Sequence, residues 1–444
     1  MYWISKSIHL LRRFRRRTLL LLAALGPGII TMVADNDAGG ISTYAQTGSR
    51  TGFSLLWAFI LLVPMAYYVQ EMTVRLGAVT KRGHAEAIFD GFGKFWGWFA
   101  IFDLAVINWL TLVTEYIGMT QALRIFSVPE WVTFLAVTIV LTVIVITGRY
   151  WTFEKITLLF CFFNLVYIPA AIWAMQTGNV REGWLAVGKG FWPTMQSSLP
   201  LLPLITLVMA NIGTTITPWQ IFFQQSAVVD KGMDIRDIKY GKIDTLVGSL
   251  TTCAVAVFII IATAGVFYYH PNGQIVVESA AQTADKMPEV MPAGTHWGQW
   301  AKLLFAVGLF DAGFLGALCI SLSTSWALGE VFGWAHSLNK SVREAPWFYV
   351  AYAVMLLLAG LVSVVSSVEV QNRVTIFVQV IAVTLLPAAL VFLILLLNDK
   401  PLMGEHANTR WQNIANWSIV AFVIAMSTLY GVSVLFPDLF TSGG

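Results

Sequence analysis

Charged residues are scarce in this sequence of 444 residues. Lysine, arginine, aspartate and glutamate make up 11% of it, whereas hydrophobic residues make up 57%. Soluble globular domains contain about 25% charged residues, so this composition excludes an ordinary soluble protein, including one with a single membrane anchor. The sequence therefore indicates an integral membrane protein.

Cysteine and histidine are also scarce, which argues against several kinds of site. The three cysteines, Cys161, Cys253 and Cys319, lie within apolar runs and are typical of buried small side chains rather than of a disulfide framework or a metal cluster. The six histidines all lie outside the apolar cores of the predicted spans. An intramembrane enzyme would need a histidine there, or a nucleophile beside a base. We therefore expect neither an enzyme nor a bound cofactor.

Apolar windows of about 20 residues predict about eleven transmembrane helices. They lie near residues 18–48, 53–77, 95–123, 130–148, 154–176, 197–227, 244–269, 299–330, 347–367, 373–397 and 414–436. Of the 27 lysines and arginines, 20 fall on the side of the N-terminus and seven on the other side. This bias predicts a cytoplasmic N-terminus, and an odd number of spans then places the C-terminus outside.

The first span is interrupted by the sequence DNDAGG at residues 35–40. A carboxylate at the bilayer centre costs about 2.5–3.5 kcal/mol, so one that is present usually faces a cavity or a partner. Paired glycines allow the helix to unwind where its carbonyls meet protein or water. These residues predict a broken helix with a binding function. The alternative is a kinked helix whose carboxylate bonds to a neighbouring helix.

The sixth span contains a second interruption, NIGTTITPWQ at residues 211–220. Proline removes a backbone donor and clashes with the preceding turn. Proline kinks are common in membrane helices, but here the first and sixth spans are broken at corresponding positions of two five-span units. Because five is odd, the second unit is inverted relative to the first. This pattern indicates a secondary transporter with a binding site at the membrane midplane.

These motifs resemble those of the NRAMP divalent-metal transporters. The resemblance lies in GPG at residues 26–28, DAGG at 37–40, GFSLLW at 52–57, RLGAVT at 75–80, EYIG at 115–118, GTTITPW at 213–219, and NR, Q and LP at 372–373, 379 and 386–387. It covers spans one to ten in order. It implies an all-α membrane fold with a five-plus-five inverted repeat of the leucine-transporter type, alternating access, and a place in a bacterial plasma membrane.

Four regions are predicted on this basis, and no low-complexity linker divides them. They are a basic cytoplasmic arm at residues 1–17, a first five-helix repeat at 18–176, a second, inverted repeat at 197–397, and an additional eleventh helix at 414–436. The basic arm is expected to lie on anionic lipid.

The sequence departs from the family pattern at the residues that hold the metal. The family's first-span Asp-Pro-Gly-Asn is DAGG at residues 37–40, which keeps the aspartate and loses the asparagine ligand. The sixth-span Met-Pro-His is TPW at residues 217–219, which loses a thioether and a histidine. An acidic residue expected one turn before Glu115 is Leu112. This combination is similar to the NRAMP-related magnesium transporters, a divergent bacterial branch.

Oxygen ligands dominate the site that these departures leave. Oxygen donors suit Mg²⁺ and Mn²⁺, and Mg²⁺ usually keeps several waters and takes one or two carboxylates. We therefore expect a largely hydrated Mg²⁺, with Mn²⁺ also carried. The predicted metal site consists of Asp37 as the direct carboxylate, the carbonyls of Asn36 and Thr214, the hydroxyls of Thr215 and Thr217, Gly40 as a point where the site widens, and Trp219 as a wall.

Four further polar residues are candidates for supporting roles: Glu115, Gln379, Asp311 and Asp35. Glu115 and Gln379 match family positions, and for Glu115 the alternative is a structural hydrogen-bonding group. Asp311 is either an acid near the site or its exit path, or a packing carboxylate. Asp35 either lines the outer vestibule or caps a half-helix.

The predicted function is alternating-access transport of Mg²⁺ and Mn²⁺ without strict proton coupling. The spans lack histidine, Leu112 replaces an acid, and the ninth span, near residues 347–367, lacks an arginine that the family's proton route usually has. The alternatives are a proton-coupled Mn²⁺/Fe²⁺ transporter, a sodium-coupled carrier of an organic solute, and a channel. The expected partners are the metal ion and the lipid bilayer, with no nucleic acid and no obligatory protein partner.

Overall fold

The computed structural model describes residues 26–436, apart from 148, 178, 194–198 and 292–295. Within these ranges the regular elements are helices. The α-helices are α1 (Pro27–Val33), α2 (Ala38–Thr51), α3 (Leu56–Thr80), α4 (His84–Phe92), α5 (Lys94–Arg124), α6 (Glu130–Ile146), α7 (Tyr150–Phe163), α8 (Tyr167–Met175), α9 (Trp184–Gly190), α10 (Leu201–Gly213), α11 (Pro218–Asp230), α12 (Ile238–Thr263), α13 (Ala280–Val290), α14 (Trp297–Phe332), α15 (Pro346–Val365), α16 (Val368–Asn398), α17 (Lys400–Met403) and α18 (Arg410–Leu435). Short 3₁₀ segments lie at Asn164–Val166, Ile235–Asp237 and Gly404–His406, and a π segment lies at Ala264–Tyr268.

The predicted all-α membrane fold is confirmed. Within the described ranges, nine helical segments are long and apolar enough to cross a membrane. Helix α6 is shorter, and the described part of the first predicted span is the pair α1 and α2. The count of eleven spans, the inverted repeat and the four regions stay predictions. The basic arm at residues 1–17 lies outside the described residues.

The two predicted helix breaks are present, and they have the same length. Helices α1 and α2 are separated by residues 34–37, and α10 and α11 by residues 214–217. Asp37 caps α2, because its side chain accepts from the backbone of Gly40. Thr217 caps α11 through a capping box, in which the side chains of Thr217 and Gln220 each accept from the other's backbone N–H, and Pro218 occupies the first turn.

Glycines at close approaches bring two long helices to the breaks. Gly316 of α14 lies beside both Asp37 and Glu115: a Cβ on it would lie 2.8 Å from Glu115 Oε2 and 3.3 Å from Asp37 Cβ. Gly213, at the end of α10, lies directly against the backbone carbonyl of Gln379 in α16, where no Cβ fits. The packing of α14 and α16 therefore places polar side chains around both breaks.

Candidate metal-binding site

Asp37 uses its two carboxylate oxygens differently. Oδ1 accepts from Gly40 N at 2.5 Å and from Gln379 Nε2 at 3.3 Å. Oδ2 has no hydrogen-bond partner among the described residues. The residue is fully buried. One oxygen therefore caps the helix, and the other is available to a ligand.

The two residues before Asp37, Asp35 and Asn36, connect the first break to the sixth-span break and to α12. Thr217 Oγ1 donates to Asp35 Oδ1 at 3.3 Å. Asn36 Nδ2 donates to the carbonyl of Thr252 at 3.3 Å. These contacts use one polar atom of each residue of the first break. Within the described part of the chain, Asp35 Oδ2 and Asn36 Oδ1 have no partner.

Glu115 of α5 lies at the start of α2. Its Oε2 accepts from Ala38 N at 3.0 Å, and the residue is fully buried. This contact satisfies one of the free N–H groups at a helix N-terminus. This contact fits the structural hydrogen-bonding role that the sequence allowed, and a role at the metal site stays a prediction. The second oxygen, Oε1, lacks a partner among the described residues.

Buried oxygen atoms without a donor gather around the two breaks. Six of them in the described residues are Asp35 Oδ2, Asn36 Oδ1, Asp37 Oδ2, Glu115 Oε1, Thr214 Oγ1 and Gln379 Oε1. A buried acceptor left unpaired costs about 1–3 kcal/mol, so such a concentration indicates a place where a cation or water is held. Hard divalent cations prefer oxygen donors of this kind.

Direct chelation by several charged side chains is not part of this arrangement. The described residues contain no cluster of three or more His, Cys, Asp and Glu side chains that could hold a metal ion. Amide, hydroxyl and carbonyl oxygens, together with water, would have to complete the coordination of an ion at Asp37. That composition suits Mg²⁺, which retains water readily.

The expected widening of the site at Gly40 is wrong for this structure. The space that a side chain at residue 40 would fill is already taken by the hydroxyl of Thr214, and the carbonyl oxygen of Asp35 would lie 3.2 Å from the added Cβ. The glycine instead allows α2 to approach the sixth-span break. Its backbone N–H donates to Asp37, so Gly40 supports the carboxylate and does not enlarge the site.

Thr215 and Trp219, two residues of the predicted metal site, form hydrogen bonds and a ring contact with other residues of the protein. Thr215 Oγ1 donates to the carbonyl of Asn211 at 2.8 Å, which leaves its lone pairs as the only means of holding an ion. Trp219 is fully buried, its carbonyl accepts from Ser323 at 3.0 Å, and its ring packs edge-on against Phe223 at 6.0 Å between centroids. Their roles as ligand and wall stay predictions.

Of the four supporting candidates, three lie at the breaks and one does not. Gln379, Asp35 and Glu115 contact the first break or its flanking helix, as described above. Asp311 is on α14 but accepts from Asn164 Nδ2 at 3.0 Å, in the 3₁₀ segment between α7 and α8. It therefore belongs to a different part of the molecule.

A cavity and a capping contact lie at the two ends of the broken first span. A cavity of about 500 Å³, the Arg50 vestibule, is lined by Gln46, Arg50, Leu202, Pro203, Thr206, Leu207, Glu278, Glu369, Asn372, Arg373 and Ile376. Gln46 is nine residues beyond Asp37, about 14 Å along the helix. At the opposite end, Asp244 of α12 accepts from Gly26 N at 3.0 Å and from Gly28 N at 2.6 Å, and so holds α1 in place.

Two residues around the breaks escaped the sequence-based prediction. Gln220 completes the capping box of α11. The spacing Thr217-x-x-Gln220 is the sequence pattern that predicts such a box. Asp244 accepts from Gly26 N at the start of α1, 218 residues away in sequence. No local sequence pattern predicts such a contact.

Comparison with known proteins identifies a family and two similar transporters. The family model described as natural resistance-associated macrophage protein-like (Nramp) matches residues 28–433. The divalent metal cation transporter MntH of Listeria innocua is 25% identical over 414 residues, which cover 91% of this chain and 88% of that protein. MntH of Caldanaerobacter subterraneus is 24% identical over 418 residues, with 92% of each chain covered.

Solved structures show the same fold. The crystal structure of the Eremococcus coleocola manganese transporter, in complex with an aromatic bis-isothiourea substituted compound, superimposes with a TM-score of 0.76 and 20% identity. The match covers 96% of this chain and 89% of that one. MhsT in complex with L-phenylalanine superimposes with a TM-score of 0.61 and 13% identity, covering 93% and 97% of the two chains.

Proposed function

The chain belongs to the Nramp family, and we propose that it is a secondary transporter that carries divalent metal ions across the membrane by alternating access. We further propose that Mg²⁺ is its main substrate and that Mn²⁺ is also carried. This places the chain with the NRAMP-related magnesium transporters. The transporter would be a multi-pass protein of a bacterial plasma membrane, with its N-terminus in the cytoplasm.

The observation that carries the proposal is the group of buried oxygens without a hydrogen-bond donor around Asp37. Thr217 occupies the sixth-span position where the resemblance predicts a thioether, so neither break, residues 34–37 or 214–217, contains a sulfur ligand. Thioethers favour soft and borderline metals, whereas carboxylate, carbonyl and water oxygens favour Mg²⁺ and Mn²⁺. The polar ends of α1 and α10 add carbonyl groups, which carry the negative end of each helix dipole toward the ion.

We propose that transport is not strictly proton-coupled. Leu112 is fully buried and apolar one turn before Glu115, and Glu115 is engaged with Ala38 N. The described α15 contains no arginine or histidine. The described residues thus lack the third-span acid and the ninth-span arginine that the resemblance predicts for a proton route.

A carrier of an organic anion is the weaker alternative. In such a carrier, a half-helix N-terminus binds the substrate carboxylate. Here the N–H groups at the start of α2 are occupied by the carboxylates of Asp37 and Glu115, which would repel an anion.

Uptake into proteoliposomes tests the proposal. We expect external Mg²⁺ to enter, to compete with Mn²⁺, and to show saturation, which separates a carrier from a channel. Empty liposomes and an Asp37→Ala variant provide the controls. The proposal is wrong if Mn²⁺ or Cd²⁺ enters while Mg²⁺ neither enters nor competes.

A further inference from the structure

A second group of buried oxygens lies between α14 and the junction of α7 and α8. Asp311 is 4% exposed, and Asn164 and Tyr167 are fully buried. Asn164 Nδ2 donates to Asp311 Oδ2 at 3.0 Å. In the described part of the chain, Asp311 Oδ1, Asn164 Oδ1 and Tyr167 Oη have no hydrogen-bond partner.

Helix geometry places these three oxygens on facing surfaces. Asn164 and Tyr167 are three residues apart, so they lie on one face of the chain that joins α7 to α8. That chain is locally a 3₁₀ helix, Asn164–Val166, a tightening often found at functional hinges. The opposing face belongs to Gly308 and Asp311, also three residues apart. Tyr167 Oη lies against Gly308, where a Cβ would come within 2.5 Å of it.

The chemistry of the cluster calls for a positive charge. The Asn164 amide already donates through Nδ2, so its Oδ1 is left as an unpaired acceptor, as is Asp311 Oδ1. Among the described residues, no lysine, arginine or histidine forms an ion pair with Asp311, although eleven other ion pairs are present. An intramembrane carboxylate of this kind is expensive unless it is neutralised and is a candidate for function.

The net charge of this oxygen cluster determines which cation it would bind. One carboxylate, one amide oxygen and one hydroxyl carry a single negative charge, which a monovalent cation neutralises. A divalent cation would leave a net positive charge in an apolar environment, which is costly, whereas at Asp37 the carboxylates of Asp35 and Glu115 also lie at the break. The oxygen donors are those preferred by hard cations.

We propose that Asp311, Asn164 and Tyr167 bind Na⁺ at a site separate from the metal site at Asp37. The two sites share α14, because Gly316, five residues beyond Asp311, contacts Asp37 and Glu115. Occupation of the Na⁺ site would therefore influence the metal site through the position of α14. This influence on transport rests on the proposed function, whereas Na⁺ binding itself does not.

Thermal unfolding of the purified full chain, without divalent metal, tests the binding. NaCl is titrated against choline chloride at constant ionic strength, for the wild type and for Asp311→Asn and Tyr167→Phe. We expect Na⁺ to raise the Tm of the wild type, Asp311→Asn to abolish the rise, and Tyr167→Phe to need about tenfold more Na⁺, equivalent to about 1.4 kcal/mol for a lost ligand. Asp103→Asn, a change to a half-buried carboxylate of α5, is the matched control and should behave as wild type.

Several outcomes would overturn this proposal. They are a wild type that does not respond to Na⁺, an Asp311→Asn variant that responds fully, and a response that follows pH instead of Na⁺, in which case the carboxyl takes a proton. If Asp311→Asn does not fold, Tyr167→Phe decides alone, because the ring is kept. Since no divalent metal is present, these results are independent of whether Mg²⁺ is transported.

Discussion

Gln379 Nε2 donates to Asp37 Oδ1 at 3.3 Å and joins α16 to the first helix break across 342 residues of sequence. The same oxygen accepts from Gly40 N. Because Oδ1 is held from two directions, the position of Oδ2 is set before any ion arrives. Such support is what holds a binding group in its productive geometry. The contact explains how a single carboxylate can serve as both a helix cap and a metal ligand.

Substitution of Gly40 by alanine should disturb the contact between the two breaks. The added Cβ meets the hydroxyl of Thr214, and overpacking of this kind costs about 1–3 kcal/mol. We expect Gly40→Ala to lower the Tm and Thr214→Ala in the same chain to recover part of the loss. Unfolding of the two single variants and the double variant measures the coupling. If the changes in Tm are strictly additive, the added Cβ of residue 40 and the Thr214 hydroxyl do not clash.

Thr217→Met should shift the ion preference toward softer metals. The thioether adds a soft ligand at the sixth-span break, so Cd²⁺ should compete better against Mg²⁺ in proteoliposome uptake. The variant also loses the cap of α11, at a cost of about 0.5–2 kcal/mol. Thr217→Val is the matched control, because it loses the same hydroxyl without gaining sulfur. If both variants change ion selectivity equally, the sulfur is not responsible, and the proposed position of residue 217 beside the ion is wrong.

For Mg²⁺ uptake, the role of Glu115 as a hydrogen-bond acceptor should matter more than its negative charge. Glu115→Gln keeps a carbonyl oxygen for Ala38 N, whereas Glu115→Ala leaves that buried N–H unpaired, at about 1–3 kcal/mol. We expect Mg²⁺ uptake by Glu115→Gln to stay within about threefold of the wild type, a difference below about 0.7 kcal/mol, and that of Glu115→Ala to fall much further. Equal losses in both variants would instead indicate that the negative charge is required.

His84, in α4 between two spans, should make the fold sensitive to acid. Its burial lowers the pKa from the ordinary 6.5 to about 4, and Nδ1 lies 3.1 Å from Gln225 Oε1. The unfolded chain therefore binds the proton first, and stability should fall as the pH falls from about 6.5 toward 4. We expect His84→Gln to lose less Tm between pH 7 and pH 5 than the wild type. His296→Gln, at an exposed position, is the control, and an equal slope in all three proteins would contradict this role.

The breaks and their caps were predictable from the sequence because they depend on local chemistry. Carboxylates, paired glycines and proline inside apolar runs are poor helix formers, and they mark both interruptions. Asp37 as a cap residue and the Thr217-x-x-Gln220 spacing follow from the same local rules. Family resemblance added Gln379 and Glu115, which the structure places at the first break.

The contacts that connect distant helices were not predictable, since they depend on packing. Asp244 reaches the N-terminus of α1 across more than 200 residues. The loss of a side chain at Gly40 predicted extra space, but the hydroxyl of Thr214 occupies it. For Asp311 the sequence left open an acid near the metal site or a packing carboxylate, and its contact with Asn164 depends on how α14 is rotated against α7 and α8.

The central claim is that the free oxygen of Asp37 binds a hard divalent cation. Calorimetric titration of Mg²⁺ and Mn²⁺ into the purified protein, comparing the wild type with Asp37→Asn, tests it most directly. The amide keeps an acceptor for Gly40 N but removes the charge, so we predict that the fold survives and that affinity for both ions falls by at least about tenfold, or 1.4 kcal/mol. Asp103→Asn should bind both ions as the wild type does. Unchanged affinity in a folded Asp37→Asn protein would contradict the account.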